Sequence, residues 1–129
     1  MATCAGIAVK TEKGYRTIYC HNDGDISYML RMLRTNYGSK ELATKLIDLG
    51  NASSIGKKLE PEYAYHCFSC PEPDVSVFYH RDRGDDWEDC EPDYFPLKKD
   101  VFAVYYYAYI FDGEKWYGYK DGKKVTIYF

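Results

Sequence analysis

Two short polar clusters, each following a strand-like run, carry between them two imidazoles, two guanidiniums and two carboxylates. The first is Tyr19-Cys20-His21-Asn22-Asp23-Gly24, after Thr17-Ile18. The second is His80-Arg81-Asp82-Arg83-Gly84, after Val75-Ser76-Val77-Phe78-Tyr79. Loops at strand ends are held by the sheet and reached by water, so they often carry function. Guanidinium forks bind phosphate or carboxylate at two points. Two Arg flanking an Asp allow one fork to be held by the carboxylate while the other faces a ligand. The alternative is an internal ion-pair network that pins the loop. His21-Asn22-Asp23 precedes a helix start, and free N–H groups there favour an anion. Alternatively, Asp23 caps that helix and His21 packs. If both loops leave one sheet edge, His21, Arg81 and Arg83 converge on a phosphate-bearing ligand. The candidate ligand-binding residues are therefore His21, Asn22, Asp23, His80, Arg81, Asp82 and Arg83.

Three further groupings bear on chemistry. Cys67-Phe68-Ser69-Cys70 beside His66 has metal-ligand spacing, but structural zinc needs four ligands and no second Cys-x-x-Cys exists. We therefore expect no metal and no cofactor. Asp82, Asp85, Asp86, Glu88, Asp89, Glu91 and Asp93 crowd one segment with Trp87, either as a solvated loop or as a mimic of DNA phosphates. His21 or His80 could serve as a general base oriented by a carboxylate, and Cys20 lies next to His21. Neighbours in a strand point to opposite faces, so that adjacency does not imply contact. No Walker loop, zincin helix or nucleophile elbow is present. The residues favour binding over turnover.

The elements that must position these groups follow from periodicity. Residues 5–20 predict a hairpin turning at Glu12-Lys13-Gly14. Ile26, Met29, Leu30, Leu33 and Tyr37 form one stripe of a helix over 26–37. A second helix over 39–49 starts at the N-cap candidate Ser39 and stops at Gly50. Residues 51–56 read as loop, 63–68 as a short strand, 75–79 as a strand and 81–96 as a long polar loop. Residues 101–111 read as one long central strand. Asp112-Gly113 and Asp121-Gly122 then turn a meander through 115–119 and 125–129. The expectation is one α+β domain over residues 1–129. Its sheet is mainly antiparallel, with two consecutive helices packed on one face.

Composition excludes several classes. A net charge of -3 does not draw the chain to nucleic acid or to an anionic membrane. No apolar run approaches the ~20 residues of a membrane helix. The N-terminus lacks the basic and apolar regions of a signal peptide, and an odd count of 5 Cys argues against a disulfide framework. These features predict a cytoplasmic protein. Tyrosine is over-represented, with 15 Tyr against 6 Phe. Strands accept it, and its hydroxyl suits a surface that meets partners.

The ordered motifs resemble a family of small, largely uncharacterised proteins of phages and mobile elements. Ile18-Tyr19-Cys20-His21-Asn22-Asp23-Gly24 is similar to its I-Y-C-H-W-D-G opening. Leu46-Ile47-Asp48-Leu49-Gly50-Asn51-Ala52-Ser53-Ser54-Ile55-Gly56 is similar to its L-x-x-L-G and D/N-x-S-S-L/I-G segments. Tyr79-His80-Arg81-Asp82-Arg83-Gly84 matches Y-H-R-D-R-G, and Tyr107-Ala108-Tyr109-Ile110-Phe111-Asp112-Gly113 through Trp116 matches its closing hairpin. Asn22 stands where the family usually has Trp, and Asp25-Ile26-Ser27 replaces an aromatic-Pro-Ser segment. The resemblance implies phage origin and assigns no activity. Proteins of this kind often counter host defences. The expected function is a non-enzymatic binding protein of counter-defence type. It would sequester a small anionic, nucleotide-like ligand or bind a host defence protein. The alternatives are a small hydrolase or nucleic-acid-processing enzyme using His21, His80 and nearby carboxylates, and an acidic nucleic-acid mimic that inhibits a nuclease.

Overall fold

The chain is described here over residues 2–126 by a computed structural model. The alternation at the start builds β1 (Ala5–Thr11) and β2 (Gly14–Cys20), antiparallel from Ala5↔Cys20 to Thr11↔Gly14. The two helices follow as α1 (Ile26–Asn36) and α2 (Lys40–Asp48). Ser39 accepts the Leu42 N–H at 3.2 Å, as an N-cap should. Gly50 holds φ +82 just past α2, the left-handed backbone that a helix C-terminus requires of glycine. Ser39→Ala should lower stability by about 1 kcal/mol. An unchanged urea midpoint would show that the cap contributes nothing.

The middle of the chain holds more structure than its polar composition suggests. β3 (Ala52–Ser54) lies within the segment read as loop, and β4 (Val77–Phe78) is shorter than the expected strand. Residues 63–68 form turns instead of a strand. The segment 81–96 is not one loop. It completes a π-helical turn at Tyr79–Arg83, then carries α3 (Trp87–Cys90) and β5 (Asp93–Phe95).

The run at 101–111 is also corrected. α4 (Lys98–Val104) takes its first half, and β6 (Tyr107–Phe111) its second. An apolar run without a clear period fits a buried helix as well as a strand. Tertiary packing decides here: Val101 and Tyr105, four apart, join Ala8, Ala108 and Ile110 in one core cluster. The Tyr105 ring lies where a side chain at Gly6 would stand, so glycine is needed at that close approach.

β7 (Trp116–Lys120) and β8 (Lys123–Val125) complete the sheet. The expected last strand over 125–129 lies partly outside the described residues. Strand order is β4-β3-β2-β1-β6-β7-β8, with β5 also pairing to β2. Most pairs are antiparallel, but β1–β6 and β2–β3 run parallel. The sheet is therefore mixed, and β6 lies inside it between β1 and β7. Met29, Leu30 and Leu33 of α1 and Ala43, Leu46 and Ile47 of α2 form one cluster with Ile7, Val9, Ile18, Tyr109 and Trp116. Among the described residues no helix is long and apolar enough to cross a membrane.

Candidate functional site

The second polar cluster is an internal latch. Burial by itself would raise the Asp82 carboxyl. The hydrogen bonds from Arg81 and from the Phe78 N–H outweigh it and hold the group below the usual Asp range. Its side chain is 4 % exposed. Asp82 Oδ2 accepts the Phe78 N–H at 2.8 Å, and its two oxygens accept Arg81 Nε and Nη2 at 2.9 and 3.1 Å. The rest of the Arg81 fork is engaged as well. Nη1 donates to Leu59 O at 2.7 Å and Nη2 to Ser76 O at 2.9 Å. Its guanidinium also lies over the Phe78 ring, 5.1 Å from the centroid.

His66 brings a distant loop into the latch. Its side chain is 1 % exposed. Nδ1 accepts the Glu72 N–H at 2.9 Å, which places the ring proton on Nε2. That nitrogen lies 3.3 Å from Asp82 Oδ2, off the line of a well-formed hydrogen bond. The Phe68 N–H donates to the Asp82 main-chain oxygen at 2.9 Å. The buried Glu72 carboxylate accepts the N–H groups of Glu62 and Tyr63. The segment from Leu59 to Glu72 is thereby tied down at several points.

Arg83 is closed by its own carboxylate. Nε and Nη2 donate to Asp85 at 2.8 and 2.6 Å, and the guanidinium lies over the rings of Phe68 and Tyr79. His80 Nδ1 donates to Asp85 O at 2.8 Å, and its ring meets Trp87 edge-on at 5.2 Å. The two-fork arrangement therefore takes the form of the internal network weighed for it in the sequence. The Arg81 fork is used on every nitrogen, and Arg83 commits Nε and Nη2 to Asp85.

The first cluster is held elsewhere. Tyr19 OH and His21 Nδ1 share a hydrogen bond of 2.7 Å. Asn22 Nδ2 donates to Ser53 O at 2.9 Å. Asp23 sits in the left-handed region at φ 57, and Asp25 takes the N-cap position of α1. Burial pushes the Cys20 thiol up to about 12, so it is not a ready nucleophile at neutral pH.

The loops do not leave a common edge. Cys20, Ala52 and Phe78 form one row across β2, β3 and β4. β2 runs parallel to β3 and β4 antiparallel to it, so the chain leaves that row in opposite directions. The His21 and Asn22 N–H groups bond to Ala52 and Ser53, whereas the Tyr79 N–H bonds back to Asn51. The idea of one mouth lined by His21, Arg81 and Arg83 is corrected on this geometry. A lesser junction remains at Ser53, which Asn22 contacts directly. Burial raises the Tyr79 phenol, and the nearby Ser53 hydroxyl and Arg83 lower it in part.

The Cys-x-x-Cys segment forms a tight turn in which Cys67 and Cys70 exchange backbone hydrogen bonds at 3.3 and 3.2 Å. The Ser69 hydroxyl lowers the Cys67 thiol. Among the described residues no three His, Cys, Asp or Glu side chains are placed to hold a metal ion.

Comparison with family profiles, curated proteins and solved structures finds no match to this chain.

The aromatic tip of the pinned loop carries no motif that singles it out. Tyr63 and Tyr65 are 58 % and 52 % exposed. Their rings stack with centroids 5.7 Å apart and an interplanar angle of 18°. The only sequence signal for this pair is the i, i+2 spacing of tyrosines between Pro61 and Pro71.

Proposed function

We propose that this protein is a non-enzymatic binding protein of the phage counter-defence type its motifs resemble. It engages a host defence protein through the Tyr63–Tyr65 loop and works in the host cytoplasm. One observation carries the reading: a stacked, exposed tyrosine pair sits on a loop fixed by Arg81, Asp82, His66 and Glu72. Tyrosine is enriched at interface hot spots. A loop already ordered avoids the ordering cost of association. In this reading α1 and α2 cover one face of the sheet. Support comes from their shared cluster with Ile7, Val9 and Ile18. Tyr37, just past α1, donates its hydroxyl to Gly56 O at 2.6 Å, which steadies the approach to the loop. An anion at Arg81 or Arg83 is the weaker arm, because both forks already hold carboxylates.

The hydrolase alternative needs an accessible nucleophile or base. Cys20 is buried, which removes it as a nucleophile. The exposed His21 and His80 are held at Nδ1 by the Tyr19 hydroxyl and the Asp85 main-chain oxygen, not by an orienting carboxylate. The acidic-mimic alternative is weakened by the closure of Asp85 onto Arg83. The test is co-purification from host lysate, wild type against a Tyr63→Ala/Tyr65→Ala double variant. A host protein retained by the wild type should be lost from the variant. The expected loss is about 2–4 kcal/mol, the range for hot-spot tyrosines. Equal retention by a folded variant would overturn the assignment of this loop. Turnover of nucleotide or nucleic acid by the purified protein would overturn the non-enzymatic reading.

A further inference from the structure

A concavity of about 230 Å³ opens between β1, β2, β6, β7, β8 and the start of α4. The register places its residues together. Lys10 pairs with Tyr15, and Tyr119 pairs with Lys124. Ile110 and the largely buried Tyr15 and Tyr119 form its floor. Lys98, at the first residue of α4, brings its ammonium to 5.6 Å from the Tyr119 ring centroid. Lys124 stands 4.1 Å above the Tyr117 ring.

The charge in this concavity is not balanced among the described residues. Among the described residues, no carboxylate forms an ion pair with Lys10, Lys98 or Lys124. Asp112, the one lining carboxylate among the described residues, is committed to its own turn. It accepts the N–H groups of Glu114 and Lys115 at 2.9 and 3.0 Å, and those bonds, with Lys115 foremost, hold it below the usual Asp range. Among the described residues, Lys10, Lys98 and Lys124 thus line the concavity against one engaged carboxylate, in a protein whose net charge is -3. The hydroxyls of Tyr15, Tyr117 and Tyr119 make no hydrogen bond to any described residue. Like charges gathered without a counter-ion repel, and phenols beside them can donate to the same anion.

We propose that this concavity is a phosphate-binding site that takes the phosphomonoester dianion of a small molecule such as a mononucleotide. Lysine serves phosphate as a mobile point charge, and three of them suit a dianion whose oxygens point in several directions. The volume lies below the usual 300–1,000 Å³ of drug-sized pockets. The phosphoryl group thus sits inside, and the rest of the ligand lies across the rim. The tyrosine faces are covered by Lys98 and Lys124, so recognition falls on the phosphate more than on a stacked base. This site shares no residue with the Tyr63–Tyr65 loop, and it goes beyond the protein-docking reading: either can fail without the other.

The test is titration calorimetry at low salt with three probes: adenosine 5′-monophosphate, adenosine and inorganic phosphate. The wild type should bind the monophosphate and not the nucleoside. Lys98→Gln and Lys124→Gln should each weaken binding about ten-fold or more, the effect of losing one bond to a charged group. Lys45→Gln, an exposed lysine on α2, should leave binding unchanged. All three lysines are exposed, so the variants should melt like the wild type, and each Gln variant checks the other. Inorganic phosphate bound as tightly as the monophosphate supports the site and identifies the free ion as its ligand. Adenosine bound as well as the monophosphate would overturn the proposal. So would equal weakening by Lys45→Gln, or no binding of any probe.

Discussion

Asp82→Ala is expected to cost about 3–5 kcal/mol of folding stability, the usual result of removing one partner from a buried charge pair. The carboxylate anchors two elements at once. It holds the Arg81 guanidinium and the Phe78 N–H, and it faces His66. Alanine would leave these donors in a poorly hydrated site, and Arg81 would keep only its bonds to Leu59 O and Ser76 O. Urea denaturation monitored by tyrosine fluorescence measures the loss directly. A loss under 1 kcal/mol would mean that water reaches the latch and substitutes for the carboxylate. The same group predicts a pH dependence. Its folded-state value lies below the ordinary Asp value of about 3.9. Its contribution is therefore complete above that ordinary value and is lost as pH falls through the lower folded value. Wild type should lose stability in that acidic window more steeply than Asp82→Ala does.

Trp116→Ala is expected to cost a similar 3–5 kcal/mol, by cavity formation instead of charge. The indole is 0 % exposed. It packs against Phe111, its partner across the β6–β7 pair, with ring centroids 5.4 Å apart. Nε1 donates to Tyr37 O at 2.8 Å, so the side chain also satisfies a carbonyl at the end of α1. Trp116→Phe keeps most of the volume and removes that bond, and should cost about 1 kcal/mol for the bond itself, with a further packing loss. The two variants separate packing from hydrogen bonding when compared by thermal and urea unfolding. Equal losses would mean that the bond to Tyr37, and not the volume, dominates the site.

Local signals in the chain specify its local elements. The hairpin at 5–20, the stripes of α1 and α2, the Ser39 cap and the Gly50 stop all depend on residues within a few positions of one another. Periodicity and capping chemistry report such relations directly. The Asp-Gly turns at 112 and 121 belong to the same class. The long apolar run at 101–111 has no period, so the packing of Val101 and Tyr105 against Ala8, Ala108 and Ile110 selects helix over strand for its first half. The parallel pairing of β1 with β6 joins residues about a hundred positions apart, and no local pattern encodes it.

The candidate site divides along the same line. Residue types and order identified His80-Arg81-Asp82-Arg83 as a charged unit and offered two fates for it, a ligand clamp or an internal network. The choice depended on partners distant in the chain. Leu59 O lies 22 residues from Arg81, and His66 arrives from the segment 63–68, which the sequence reads as a short strand and the fold makes a turn. The shared-edge idea turned on strand direction, which a sequence of separate runs does not contain. The three lysines around Tyr117 and Tyr119 come from β1, α4 and β8, and each alone is an ordinary surface charge. Near neighbours along the chain specify the local elements and the inventory of charged groups. Which of those groups neutralise one another is settled on folding, because Coulomb and hydrogen-bond energies depend on separation in space and not along the chain.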